Sequence, residues 1–211
     1  VIVEDAQSLN FEKLVSNTAM QVGANAKVNI DSEEDVVLNG DNTFATGSSV
    51  TAITSGKVTL NNATLNNDVA VTLNGTNNET TGRLVVNANA ELTVNGAYTN
   101  DAEATIEGNA KMTLKGASTN NKSIKVGVDG YLNASDVEFT NETGATLTLV
   151  GEEQGMNSDS RSKADIKTLT NNGTIDIQAG GEKKGTYGGC LNVSTSITNG
   201  EYGVINVDGE L

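Results

Sequence analysis

The chain has 211 residues, one cysteine, no histidine, no proline and a formal net charge of −14, which argues against nucleic acid and anionic membrane surfaces as partners because both carry the same sign. Lacking histidine, it has no imidazole base, no Ser-His or Cys-His nucleophile and no His-ligated metal. Aromatics are 3% of residues and Trp is absent, so small and medium aliphatics must fill the core, as in a narrow stack of strands that has few places for proline. From the N-terminus, Val1-Ile2-Val3 reads as a strand, and Phe11 to Val15 comes nearest to an amphipathic helix. Ala24-Asn25-Ala26 then turns into Lys27-Val28-Asn29-Ile30. Residues 1–56 are less regular than 57–211, where strands announce themselves by period-two alternation: Lys57-Val58-Thr59-Leu60, Ala70-Val71-Thr72-Leu73, Thr146-Leu147-Thr148-Leu149 and Thr174-Ile175-Asp176-Ile177.

The decisive signal is repetition at about twenty residues. Leu84-Val85-Val86, Ala104-Thr105-Ile106 and Ile124-Lys125-Val126 fall in one column. Leu92-Thr93-Val94, Met112-Thr113-Leu114 and Leu132-Asn133-Ala134 fall in a second. Between the two lies a recurring turn: Ala88-Asn89-Ala90, Gly108-Asn109-Ala110 and Val128-Asp129-Gly130, of which Ala24-Asn25-Ala26 reads as an earlier copy. A third column holds Tyr98-Thr99-Asn100, Ser118-Thr119-Asn120, Phe139-Thr140-Asn141, Leu169-Thr170-Asn171 and Ile197-Thr198-Asn199.

Stacked strands lie about 4.8 Å apart, so like residues one repeat apart sit above one another. Asn100, Asn120, Asn141, Asn171 and Asn199 are then placed to form a side-chain amide ladder. The spacing predicts an all-β right-handed parallel β-helix, a β-solenoid with coils of about twenty residues, each of three short strands and three turns. The later copies of the third column are about thirty residues apart, which implies loops inserted at Gly151 to Lys163 and Ala179 to Gly189. Asn74 to Gly82 reads as another inserted loop. The rival is an antiparallel sandwich or barrel, for which the Asn-Gly pairs at Asn39, Asn74, Asn95, Asn172 and Asn199 would supply hairpin turns. The chain reads as one solenoid segment over 1–211. Val1 starts inside a strand-like run and Leu211 follows one, so both ends read as cuts in a longer protein.

Chemistry is sparse. Cys190 has no histidine partner and reads as structural or incidental. Asp31-Ser32-Glu33-Glu34-Asp35 lacks calcium-loop spacing and reads as a solvated acidic turn. The sequence calls for no cofactor and no metal. The enzymatic alternative is a polysaccharide lyase or glycoside hydrolase, which needs clustered carboxylates and a cation to stabilise a developing anion. Its material would be Asp165, Asp176 and Glu182 with Arg83 or Arg161, both arginines being expected in loops. Loop contacts with a partner fall on Arg161, Lys183, Lys184 and Tyr187, a basic and aromatic group on an acidic body.

The units AELTVNGAYTNDAEATIEG, AKMTLKGASTNNKSIKVG and TLTNNGTIDIQAGG resemble passenger repeats of bacterial autotransporters and filamentous-haemagglutinin-like adhesins. The likeness covers most of Lys57 to Leu211 and rests on two short patterns. One is a small-residue turn before Leu/Met-Thr-Val/Leu; the other is apolar-Thr-Asn before Gly-Thr-Ile. It implies a secreted or cell-surface, cysteine-poor right-handed β-helix that works as a non-enzymatic adhesin or structural stalk. The implied partner is a host or neighbouring-cell surface protein or glycan. Strand edges at the ends of such a rod add end-to-end self-association to the expectations. No run of 18 apolar residues spans a membrane in this segment.

Overall fold

A computed structural model describes residues 2–11, 15–16, 20–32, 36–38, 42–45, 49–54, 57–60, 63–65, 70–73, 83–86, 88, 91–94, 97–100, 103–152, 161–180 and 187–208. Among them the chain is all-β, and each strand pairing is parallel. The strands form two sheets. One is ten-stranded and runs in chain order from Ser8–Phe11 through Lys27–Ser32, Ser49–Thr54, Ala70–Leu73, Arg83–Val86, Glu103–Ile106, Ser123–Val126, Thr146–Leu149 and Thr174–Ile177 to Val204–Val207. The other is fourteen-stranded and holds two columns, which the long strands Tyr131–Asn141, Lys163–Asn171 and Cys190–Asn199 fuse into one.

Register follows the sequence columns. Leu92 pairs with Met112 and Met112 with Leu132, consecutive rungs of one sheet. Leu84, Ala104 and Ile124 are likewise successive in the other. Asn100, Asn120, Asn141, Asn171 and Asn199 are five successive rungs of the third column. Alternation sets the faces: Glu91–Val94, Lys111–Leu114 and Thr146–Leu149 all bury every second side chain. The core is therefore a set of aliphatic rows, such as Leu92-Met112-Leu132-Ala164 and Ala104-Ile124-Leu147-Ile175, all buried. Tyr98 and Phe139, the largest buried side chains, lie two rungs apart in one row with the small Ser118 between them. A small side chain between two large ones keeps this narrow part of the interior filled without crowding.

The corners explain the polar punctuation. Ala26, Ala110, Gly130 and Ala145 each donate their N–H to the carbonyl three residues back, at 3.2, 3.0, 2.9 and 2.9 Å. The residue before each of them has a positive φ: Asn25 at 56°, Asn109 at 55°, Asp129 at 61° and Gly144 at 84°. Asn, Asp and Gly enter this left-handed region at least cost, because a short polar side chain or none avoids the Cβ clash. Ala6, at 56°, has no such excuse.

Several expectations change. From Tyr131 onward two of the three short strands of a repeat merge into one long strand with a register shift inside it, between Ala134 and Glu138 in the first case. Ala24-Asn25-Ala26 is not an earlier copy of the Gly108-Asn109-Ala110 corner, because Lys27–Ser32 lies in the ten-stranded sheet and Lys111–Leu114 in the other. The same local turn serves two different corners, so the local motif does not identify its corner. Phe11 ends a strand and Val15 begins another, and 12–14, the middle of the stretch that comes nearest to a helix in sequence, lie outside the described residues. Arg83 opens the strand Arg83–Val86 opposite Glu103 and is not in a loop. Asn172-Gly173 turns the chain from one sheet into the other, not back upon itself, which removes the hairpin reading at that pair. A Cβ on Gly173 would run into the Glu142 and Ala145 carbonyls of the rung below, so the corner stacks tightly only with glycine.

Candidate functional site

Two polar constructions stand out, one inside and one outside. The inner one is the asparagine row. In a period-two strand the residue after Thr99, Thr119, Thr140 or Thr170 turns inward, so an amide arrives in the core where an aliphatic would otherwise sit. Asn100, Asn120, Asn141 and Asn171 are all buried. Each Nδ2 donates to the Oδ1 of the next asparagine, at 2.8, 2.8, 2.9 and 2.8 Å along the row. The second N–H of each goes to a backbone carbonyl in the adjoining strand: Ser123, Thr146, Thr174 and Val204 at 3.0–3.2 Å. Below the row, the Tyr98 hydroxyl donates to Asn100 Oδ1 at 3.2 Å. Every amide is thus satisfied without water, which is what allows it to be buried.

The outer construction lies on the fourteen-stranded sheet. One outward column runs Glu91, Lys111, Tyr131, Lys163, Cys190, and the next runs Thr93, Thr113, Asn133, Asp165, Asn192. Register alone brings their side chains together. Lys111 and Lys163 Nζ lie 5.6 and 5.1 Å from the Tyr131 ring centroid. Tyr131 donates its hydroxyl to Asp165 Oδ2 at 2.6 Å, Lys163 Nζ stands 2.8 Å from the same oxygen, and Asn192 Nδ2 donates to Oδ1 at 2.8 Å. Cys190 Sγ is 3.6 Å from Asn192 Oδ1, which gives this half-buried thiol a weak polar contact.

The electrostatics follow from those bonds. Partial burial pushes the Asp165 carboxyl upward, but donation from Lys163, Tyr131 and Asn192, with the Lys163 charge, outweighs it and holds the group below its usual range. Tyr131 moves the other way, to about 12, because burial, the hydrogen bond to Asp165 and that carboxylate's charge all favour the neutral phenol. At neutral pH the cluster is therefore a carboxylate held by an ammonium, a phenol and an amide, beside two lysines over one aromatic ring.

The loop residues divide. Arg161 is exposed, and its guanidinium lies 5.5 Å from the centroid of the half-buried Tyr187 ring. The Glu152 N–H donates to the Tyr187 carbonyl at 2.9 Å, which ties together the bases of the two inserted loops. Lys183, Lys184 and Glu182 lie outside the described residues, as do 33–35 of the acidic segment and 74–82 of the first insertion. Asp165 and Asp176 are not brought together: Asp165 belongs to the fourteen-stranded sheet, and Asp176 to the ten-stranded one, where Gln178 Nε2 donates to it at 3.2 Å. The sequence singled out Asp165 for the wrong company and passed over Lys111, Tyr131, Lys163 and Asn192. Reading them needed the insertion after Gly151 to be measured, so that Lys163 falls under Tyr131. No family model, curated protein or solved structure matches the chain.

Proposed function

We propose that the chain is a right-handed parallel β-helix and serves as a non-enzymatic adhesin or stalk module at a bacterial surface or in secretion. In this reading it displays an outer face to a host or neighbouring-cell protein or glycan. The observation that carries the reading is parallel, in-register pairing repeated along both sheets, which makes a stiff body whose outward side chains hold fixed spacings. The face centred on Tyr131, Lys163, Asp165 and Asn192 is pre-organised by its own hydrogen bonds. A partner therefore orders few side chains on binding there. Arg161 and Tyr187 extend the aromatic and cationic character to the loop bases.

The test is an array of surface glycans and whole cells probed with the wild-type chain and with Tyr131→Ala and Lys163→Ala. Retention of the wild type should fall at least about tenfold in either variant, a loss of about 1.4 kcal/mol or more. Incubation with a panel of acidic polysaccharides runs alongside. Turnover of any of them, or retention indifferent to both substitutions, removes the reading.

A further inference from the structure

An asparagine followed by glycine carries both an electrophile and a nucleophile: its own side-chain Cγ, and the backbone nitrogen of the next residue, which no Cβ shields. Whether the two meet in a folded chain depends on how firmly the peptide unit between them is held. At several corners it is held. The N–H that follows Asn25, Asn109, Asp129 and Asn199 donates in each case to a backbone carbonyl: Ala26 to Gly23 at 3.2 Å, Ala110 to Glu107 at 3.0 Å, Gly130 to Gly127 at 2.9 Å and Gly200 to Asn171 at 2.8 Å.

The corner at Asn172-Gly173 differs. Among the described residues, neither the C=O nor the N–H of the peptide unit joining these two makes a hydrogen bond. The bonds that fix the corner lie to either side of it. Asn172 N–H donates to the Asn141 carbonyl at 2.7 Å and Thr174 N–H to the Ala145 carbonyl at 2.9 Å, while the Asn171 and Gly173 carbonyls accept from Gly200 and Val204, each at 2.8 Å. Between those anchors the planar unit rotates about its two flanking single bonds without breaking any of them, and that rotation carries the Gly173 nitrogen toward Asn172 Cγ. The side chain is loosely held as well. Asn172 Nδ2 reaches Glu142 Oε2 only at 3.4 Å, outside the usual N–H···O range. Asn199, by contrast, accepts from Asn171 at 2.8 Å and donates to the Gly203 carbonyl at 2.6 Å. Asn172 is half-buried, so water has access to it.

We infer that Asn172 is a site of spontaneous deamidation in the folded protein. The Gly173 nitrogen bonds to Asn172 Cγ, the Cγ–Nδ2 bond breaks, and the Gly173 amide proton leaves with Nδ2 as ammonia, which closes a succinimide ring. Water then opens the ring at one of its two carbonyls and leaves aspartate or isoaspartate at this position, with water as the sole co-reactant. Either product alters the corner. Aspartate sets a second carboxylate against Glu142. Isoaspartate adds a backbone carbon beside Gly173, which already stacks closely on the Glu142 and Ala145 carbonyls. The inference depends on the register of the two sheets and not on the display of a ligand face.

The experiment is peptide mapping by mass spectrometry of the full chain aged in heavy-oxygen water at mildly alkaline pH, once folded and once in urea. Each asparagine is compared with its own rate in urea, which cancels the intrinsic difference between Asn-Gly and Asn-Ala. Asn172 should take up heavy oxygen in the folded chain within about tenfold of its rate in urea, and Asn109 should be slowed at least about tenfold more than Asn172. Asn172→Gln, whose longer side chain closes a ring far more slowly, separates Asn172 from its neighbour Asn171 and should leave their shared peptide unlabelled. Label that persists in Asn172→Gln overturns the assignment. Equal slowing at Asn172 and Asn109, or no label at Asn172 in the folded chain, overturns the inference outright.

Discussion

Asp165 and Tyr131 share one hydrogen bond and respond to pH in opposite ranges. The Asp165 pKa is depressed in the folded chain, so its contribution to stability is full above the unfolded carboxylate value near 3.9 and is lost as pH falls through the folded value. Tyr131 is raised to about 12; its contribution is full below about 10, the unfolded phenol value, and is lost as pH rises through about 12. Tyr131→Phe removes the donor without the ring. It is expected to cost about 1 kcal/mol at pH 7, to flatten the alkaline arm between about 10 and 12, and to raise the Asp165 pKa. Urea denaturation followed across pH, with carboxylate titration by NMR, measures all three. An alkaline arm unchanged in Tyr131→Phe would show that another group owns it.

The asparagine row shows how much an element's setting decides. Asn120 gives two hydrogen bonds and receives one from Asn100, entirely inside the core. Asn120→Ala strips the acceptor from Asn100 and the donors from Asn141 and from the Thr146 carbonyl, and should cost about 3 kcal/mol. Asn199 is exposed, and its replacement by Ala should cost no more than about 1 kcal/mol, since water can serve the Asn171 amide there. Comparing the two by chemical denaturation checks the difference, and equal costs would mean the row has no special burial energy. This row was legible in the sequence because Thr-Asn recurs with one face in and one face out. The columns Leu92-Met112-Leu132 and Leu84-Ala104-Ile124 were legible for the same reason: an unbroken spacing needs no knowledge of loops. What escaped was whatever crossed an insertion. Tyr131 over Lys163 and Asp165 beside Asn192 depend on loop lengths that no periodicity announces. Merging of two short strands into Tyr131–Asn141 escaped too, because the register shift inside it breaks the alternation that marks a strand.

At the scale of the whole molecule, each repeat touches mainly the one before and the one after. A stack of this kind has stability that sums nearest-neighbour terms, and it opens first where its strands are least covered. Amide exchange should therefore be graded. Val204–Val207 and Cys190–Asn199, with apolar side chains facing solvent, should exchange first. Glu103–Ile106, Lys111–Leu114 and Ser123–Val126, buried on their inner face with a rung on either side, should exchange last. Mass spectrometry of peptic fragments reads this directly, and uniform protection across these strands would point to a single cooperative unit instead.

Each amide from Asn100 to Asn171 points the same way along the row. Rotating any one of them by half a turn would set nitrogen against nitrogen on one side and oxygen against oxygen on the other. Reversing the whole row would fare no better, because each Oδ1 would then face the backbone carbonyl of Ser123, Thr146, Thr174 or Val204, which accepts the second N–H of its rung. The backbone of the neighbouring sheet thereby fixes the sense of each amide from Asn100 to Asn171 independently, and the Tyr98 hydroxyl completes the row at its first acceptor.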